Sequence, residues 1–238
     1  MVGFGIGQAV KRKEDARFLT GAGKFQDEIN LPGQVHAVIL RSPHAHADIA
    51  AVDSDDARAA PGVLAVLTSA DVRADDLGTL PSMKDPRLKM TRRNGAPGYY
   101  PPQPLLADGR VRHVGEAVAM VVAETAVQAL DAVERIAVDY VALPAIVDTA
   151  EAANAGALQL WPEAPGNVCF DWIVGDKTAV EVAFSKAEHV TEIELRNNRV
   201  TATPIETRGA LGEFDMESGR YTLQTNCHNH FAVRAMTA

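Results

Sequence analysis

Two histidines near residue 45 have the side-chain type and spacing to bind a metal ion. The segment RSPHAHADI (41–49) places His44 and His46 two residues apart. If the chain is extended there, both imidazoles project from the same face and can reach one ion. A metal site needs further ligands, and none stands nearby at a helical or strand spacing. The spacing therefore permits a metal site but does not favour one.

Two other groups of residues allow chemistry. Cys227, His228 and His230 place a thiol and two imidazoles within four residues, which could hold zinc or copper, although only the two histidines share a face in an extended strand. His113 and Glu116 could form an acid–base pair, or they could be the polar end of a buried strand. We favour the structural interpretation for both groups.

Composition excludes several classes of function. The 238 residues carry a net charge of −8 and no extended basic patch, so nucleic acid is not expected as a partner. The longest apolar run, at residues 117–123, is too short to cross a bilayer, and no export signal precedes it. Cys169 and Cys227 match neither a disulfide framework nor a CxxC pair. We therefore expect a cytoplasmic location.

Hydrophobic periodicity predicts an α+β fold with a mixed sheet. Long, uninterrupted apolar segments indicate buried strands, and Ser54, Ser69 and Thr125 are predicted to cap helices. A long loop separates the third and fourth predicted strands. The predicted strands are 35–41, 49–53, 63–68, 111–124 and 137–148, the predicted helices are 55–61 and 125–136, and the loop covers 74–110.

A second unit is predicted after a connection at residues 152–167. It begins with a short helix, continues with a strand that contains Val190, Ile193 and Leu195, and has a hairpin at 209–225. A further helix is predicted to start near the last residues. We expect apolar strand faces in this unit to be incompletely covered, which leads either to self-association or to completion by a further polypeptide.

Several of these segments together resemble one enzyme family. The stretches RSPHAHADI, AVDSDDARAAPGVLAVLTSADV, VRHVGEAVAMVVAE and VDYVALPAIVD are similar to the α/β hammerhead domain of the large subunit in the xanthine oxidase and aldehyde oxidase family. NNRVTATPIETRGALGEFD resembles the first strands of that family's molybdenum-cofactor domain. The resemblance implies a lead-in arm and hammerhead domain at 1–150 and the incomplete start of a cofactor-binding domain at 168–238.

The resemblance also implies roles for individual residues. It assigns His44 and His46 to the scaffold, and it makes Asn198, Glu206 and Arg208 candidates for binding the molybdopterin-type cofactor of the complete subunit. Glu206 and Arg208 are expected to form an ion pair that shapes the site. His228 replaces a glutamine that the family often has at this position, which puts the usual cofactor contacts in doubt.

The implied activity is oxidation of an aldehyde, an N-heterocycle or carbon monoxide by a molybdenum oxidoreductase. No catalytic residue and no metal ligand is assigned to this chain, and we expect it to be inactive and free of cofactor by itself. The implied partners are the remainder of the large subunit and the iron–sulfur and flavin subunits. The alternative is a non-catalytic assembly or metal-binding module.

Overall fold

The computed structural model describes residues 11–80, 90–92, 94–198 and 200–237. These residues divide into two compact units. The first unit spans Gln34–Ile193, and the second combines the described residues before Gln34 with those after Ile193. The division of the sequence into 1–150 and 168–238 stays a prediction.

Helices and strands alternate irregularly along the chain. The helices are α1 (Asp15–Leu19), α2 (Asp55–Arg58), α3 (Ser69–Ala74), α4 (Ala126–Val133), α5 (Lys177–Lys186) and α6 (His230–Thr237). The strands are β1 (His36–Arg41), β2 (Ala47–Asp53), β3 (Val63–Leu67), β4 (Thr79–Leu80), β5 (Gln103–Pro104), β6 (Arg110–Val111), β7 (Ala117–Ala123), β8 (Ala137–Ala142), β9 (Ala210–Asp215) and β10 (Arg220–Thr225).

A three-stranded sheet in the order β1-β7-β3 forms the centre of the first unit. One face of this sheet, which includes Val66, Ala119 and Val121, is buried against α2 and α4. A second sheet, in the order β6-β2-β8, encloses a smaller core around Ala47 and Val111. All strand pairs of the described residues are antiparallel, whereas the sequence predicted a mixed sheet.

Helix α4 packs on the central sheet through alanines. Thr125 caps it as predicted, because its side chain accepts a hydrogen bond from the Gln128 amide. Its buried face is formed by Ala129 and Ala132, which are fully buried, whereas Val127 is 66% exposed. The small alanines let the helix backbone approach the sheet closely.

The strand predicted at 111–124 is divided between the two sheets. Residues 110–111 form β6 beside β2, while Ala117–Ala123 form β7 between β1 and β3. The chain changes direction at Gly115, whose φ of 86° suits glycine and whose amide donates to the Ser42 carbonyl at 2.8 Å. A continuous apolar run therefore marks burial here but not one strand.

Three further predictions need correction. Ser54 makes no capping bond to α2, and its hydroxyl instead accepts from Arg58 Nε at 3.1 Å. Thr68, not Ser69, caps α3. The strand predicted to extend to residue 148 ends at Ala142, two residues before Pro144, which cannot donate a backbone hydrogen bond.

The second unit contains the predicted hairpin of β9 and β10 and the predicted C-terminal helix, α6. Phe214 and Tyr221 pack against each other across the hairpin, with ring centroids 4.5 Å apart. The strand predicted over 190–200 is wrong, because the described residues there form no regular element. Alternation of apolar residues did not suffice to form a strand, since no neighbouring strand among the described residues pairs with this segment.

We predict that the first core depends on Val121, which is fully buried in the central strand. Val121→Ala should lower the free energy of unfolding by about 2 kcal/mol, because two methyl groups are removed and a cavity remains. Val141→Ala is the matched control, since Val141 lies in β8 and is 54% exposed. Urea unfolding of both variants measures the difference, and equal effects would contradict this account of the core.

Candidate functional site

Glu206 is the best-anchored of the three residues proposed to bind the cofactor. Its side chain is half-buried, and Oε1 accepts a hydrogen bond from the Gln26 backbone amide at 2.9 Å. Gln26 begins a 3₁₀ turn, Gln26–Glu28, whose first amides have no partner inside the turn. The carboxylate therefore joins two segments that are 180 residues apart in the sequence.

Asn226 holds the chain just after Glu206 in place. Its Nδ2 donates to the Thr207 carbonyl at 2.7 Å, and its Oδ1 accepts from the Gly209 amide at 3.3 Å. A Cβ on Gly209 would lie 2.5 Å from Gln26 Cγ, so the close approach of these segments requires glycine or a moved side chain. Sequence reasoning missed Asn226 and Gln26, although an amide directly after a predicted strand is a recognisable signal.

Asn198 and Arg208 are not brought into a closed site with Glu206. Both side chains are exposed, and neither forms a hydrogen bond or ion pair within the described residues. The expected ion pair between Glu206 and Arg208 is not formed, since Glu206 is bonded to a backbone amide instead. These three residues alone do not make a binding site for a pterin cofactor, and no chemical step is assigned to them.

The two histidines near residue 45 make scaffold contacts in the first unit. His46 is 5% exposed, and its Nδ1 lies 2.8 Å from the Pro144 carbonyl, to which it donates. The His44 ring packs against Tyr140, with 4.8 Å between the ring centroids. These contacts are the hydrogen bonding and packing that the family resemblance implied for both residues.

Asp48 and Arg110 form an ion pair between β2 and β6. Arg110 Nε donates to Asp48 Oδ1, and the strand register places the two residues opposite each other. The hydrogen bond from Arg110 lowers the pKa of the Asp48 carboxyl and raises that of the guanidinium. No local sequence pattern predicts this pair, because 62 residues separate its members.

The guanidinium of Arg112 lies over the Trp161 ring, with Cζ 3.7 Å from the ring centroid. Burial lowers the pKa of this guanidinium, and its Nε has no hydrogen-bond partner among the described residues. Tyr99 completes the cluster at 6.2 Å from the Trp161 ring, and its hydroxyl donates to Glu163 Oε2 at 3.4 Å. Through this contact with Arg112, Trp161 anchors the connecting segment at residues 152–167.

The remaining candidate residues have structural roles or no partner. Glu116 Oε2 accepts from the Arg112 backbone amide at 2.5 Å and lies 3.4 Å from His113 Nδ1, so it closes the turn before β7. Cys227 and His228 are exposed. Within residues 11–80, 90–92, 94–198 and 200–237, no three His, Cys, Asp or Glu side chains are grouped to hold a metal ion.

No helix in the described part of the chain is both long and apolar enough to span a membrane.

Comparison with protein families assigns both parts of the chain. Residues 20–144 match the model of the aldehyde oxidase and xanthine dehydrogenase a/b hammerhead domain, which is more than half of the chain. The chain belongs to this family. Residues 160–238 of this aldehyde oxidase and xanthine dehydrogenase family member match the molybdopterin cofactor-binding domain. The resemblance and the fold class predicted from the sequence are confirmed.

Known relatives of this family member are several times longer. The carbon monoxide dehydrogenase large chain of Afipia carboxidovorans is 35% identical over 231 residues, which cover 92% of this chain and 27% of the relative. The nicotine 6-hydroxylase large subunit of Paenarthrobacter nicotinovorans is 38% identical over 221 residues, covering 92% of this chain and 25% of the relative. The chain thus spans about a quarter of these relatives' length.

Solved structures show the same fold. A Cu,Mo-CO dehydrogenase in its carbon monoxide-reduced state superposes with a TM-score of 0.82 at 33% identity over 98% of this chain and 29% of its own. Quinoline 2-oxidoreductase from Pseudomonas putida 86 superposes with a TM-score of 0.74 at 35% identity. The match covers 92% of this chain and 26% of the oxidoreductase chain.

We predict that Glu206 restrains the turn at Gln26. Glu206→Ala should increase amide hydrogen exchange at Gln26 by about fivefold, which corresponds to about 1 kcal/mol for one lost hydrogen bond. Glu206→Gln should retain part of the protection, since its amide oxygen can still accept. Glu213→Ala on the exposed surface of β9 is the control. Unchanged exchange at Gln26 in Glu206→Ala would show that the bond does not restrain the turn.

We also predict that the ion pair of Asp48 and Arg110 makes stability depend on pH. The folded-state pKa of Asp48 is lowered, so its contribution is present above the unfolded value of about 3.9 and is lost as the pH falls through the folded value. Asp48→Asn should therefore destabilise the protein near neutral pH, and its difference from wild type should shrink at about pH 3.

Urea unfolding at both pH values measures this difference. Asp139→Asn is the control, because Asp139 is exposed in β8 and forms no ion pair within the described residues. A difference between Asp48→Asn and wild type that stays constant with pH would rule out the ion pair as its source.

Proposed function

We propose that this chain supplies the hammerhead domain and the first strands of the cofactor-binding domain to the large subunit of a molybdenum hydroxylase. One observation supports this most directly. The hammerhead match is followed along the chain by the cofactor-binding domain match, and 98% of the chain superposes on a Cu,Mo-CO dehydrogenase with a TM-score of 0.82. The proposed reaction is oxidation of an aldehyde, an N-heterocycle or carbon monoxide.

The protein's own contribution is structural in this proposal. The molybdenum cofactor supplies the redox chemistry when it is bound in the complete subunit. Glu206, held by Gln26, fixes the entry to the hairpin of β9 and β10. Asn198, Glu206 and Arg208 stay our proposed contact residues for the cofactor, and further groups outside this chain must complete the site.

We propose iron–sulfur and flavin subunits as partners and the cytoplasm as the location. Two relatives, a nicotine 6-hydroxylase large subunit and a 6-hydroxypseudooxynicotine dehydrogenase complex subunit gamma, are themselves subunits of larger enzymes, which supports assembly with other subunits. Two free cysteines agree with a reducing compartment. Since an iron–sulfur cluster takes four cysteine ligands, its ligands must come from outside these 238 residues.

A fusion protein tests the proposed function. In it, this chain replaces the matching segment of the Afipia carboxidovorans large chain, and elemental analysis measures its molybdenum content. We expect molybdenum in the fusion protein and none, with no substrate oxidation, in the 238-residue chain alone. The relative's own large chain, prepared identically, is the control.

Two outcomes would contradict the proposal. The first is a fusion protein that contains no molybdenum although the relative's large chain does. The second is stoichiometric molybdenum with turnover in the chain alone. Zinc or copper in the chain alone that is lost in His228→Asn would instead support the metal-binding alternative.

A further inference from the structure

The central sheet of the first unit is apolar on both faces. Because the pairs are antiparallel, residues opposite each other in the register share a face. The inner face contains the row Val38, Val121 and Val66, of which Val121 and Val66 belong to the first core. A sheet that needed cover on one side only would alternate these residues with polar ones.

The outer face carries no polar side chain in its two central rows. Its six residues are Ala37, Val122 and Ala65 in one row and Ile39, Met120 and Leu67 in the other. We call this surface the outer face. It is an aliphatic surface three strands wide.

The outer face is not covered by either core of the described residues. Its six residues belong to neither core cluster. Ile39 is 39% exposed, Ala37 is exposed, and the other four are partly exposed. Contiguous apolar surface of this kind typically marks an interface, because its burial gains about 25 cal/mol for each Å² removed from water.

We propose that the outer face docks against the part of the large subunit that lies outside the matched segment. This inference rests on the proposed function. The chain spans 27% of the carbon monoxide dehydrogenase large chain, so most of such a subunit remains to make contacts. An aliphatic surface without charge suits a permanent interface, whereas transient interfaces are more polar. A second copy is disfavoured, because each copy carries a net charge of −8.

Cysteine labelling tests the occupant. Ile39→Cys places a thiol on the outer face, and Val121→Cys places one on the inner face of the same sheet. Maleimide labelling at each position is read by peptide mass spectrometry in the chain alone and in the fusion protein described above. In the chain alone, we expect residue 39 to react at least about tenfold faster than residue 121. In the fusion protein, the labelling rate of residue 39 should fall about tenfold, while residue 121 stays unreactive in both proteins.

Each other result would overturn the inference. If residue 39 reacts as fast in the fusion protein as in the chain alone, the subunit leaves the outer face open. Protection in the chain alone that disappears on dilution would identify a second copy as the occupant. Protection there that is independent of concentration would show that the chain covers the face itself.

The experiment distinguishes failure of the docking inference from failure of the proposed function. A fusion protein that contains molybdenum while residue 39 stays reactive supports the function and refutes the docking. A fusion protein in which residue 39 is protected but which contains no molybdenum supports the docking and refutes the function.

Discussion

The pairing of β7 with two neighbours is the constraint on which the first unit depends. Ala117–Ala123 pairs with β1 along one edge, and the part from Met120 to Ala123 pairs with β3 along the other, so the backbone groups in these two ladders are satisfied without water. Its side chains can then be apolar on both faces. Ala119 and Ala123 are small enough for helices and turns to approach closely, and Val121 fills the centre of the first core.

The second sheet is held together by charge as well as by packing. Arg110 and Asp48 pair at the first residues of the β2–β6 ladder, directly before the buried Val111. Both side chains remain partly exposed, so they avoid the large desolvation cost of a buried ion pair. The polar groups that suggested catalysis in the sequence, such as His46 and Glu116, satisfy backbone groups at the ends of strands instead.

The second unit is held together differently. A two-stranded hairpin is marginally stable in water, so β9 and β10 need support from other segments. Gln26, Glu206 and Asn226 provide it through hydrogen bonds that join the beginning of the described chain to the residues on either side of the hairpin. Phe214 and Tyr221 form the apolar side of the hairpin and remain substantially exposed, at 49% and 79%.

The sequence by itself determined the family, the fold class and most elements of regular structure. Strong local signals explain this success: Thr125 before a helix, the apolar runs of β1, β3 and β7, and the turn between β9 and β10. These signals act over a few residues, so they depend little on contacts with distant segments. The roles of Asn198, Glu206 and Arg208 as cofactor contacts came from resemblance and stay predictions.

Tertiary structure alone decided which segments meet. The run at 111–124 splits between two sheets because residues near Gly115 bond to Ser42, far away in the sequence. The alternating segment at 190–200 forms no strand, since strand formation depends on a neighbour. Glu206 bonds to Gln26 and not to Arg208, although the arginine is two residues away. Such contacts depend on chain segments that are distant in sequence, and a local pattern contains no information about them.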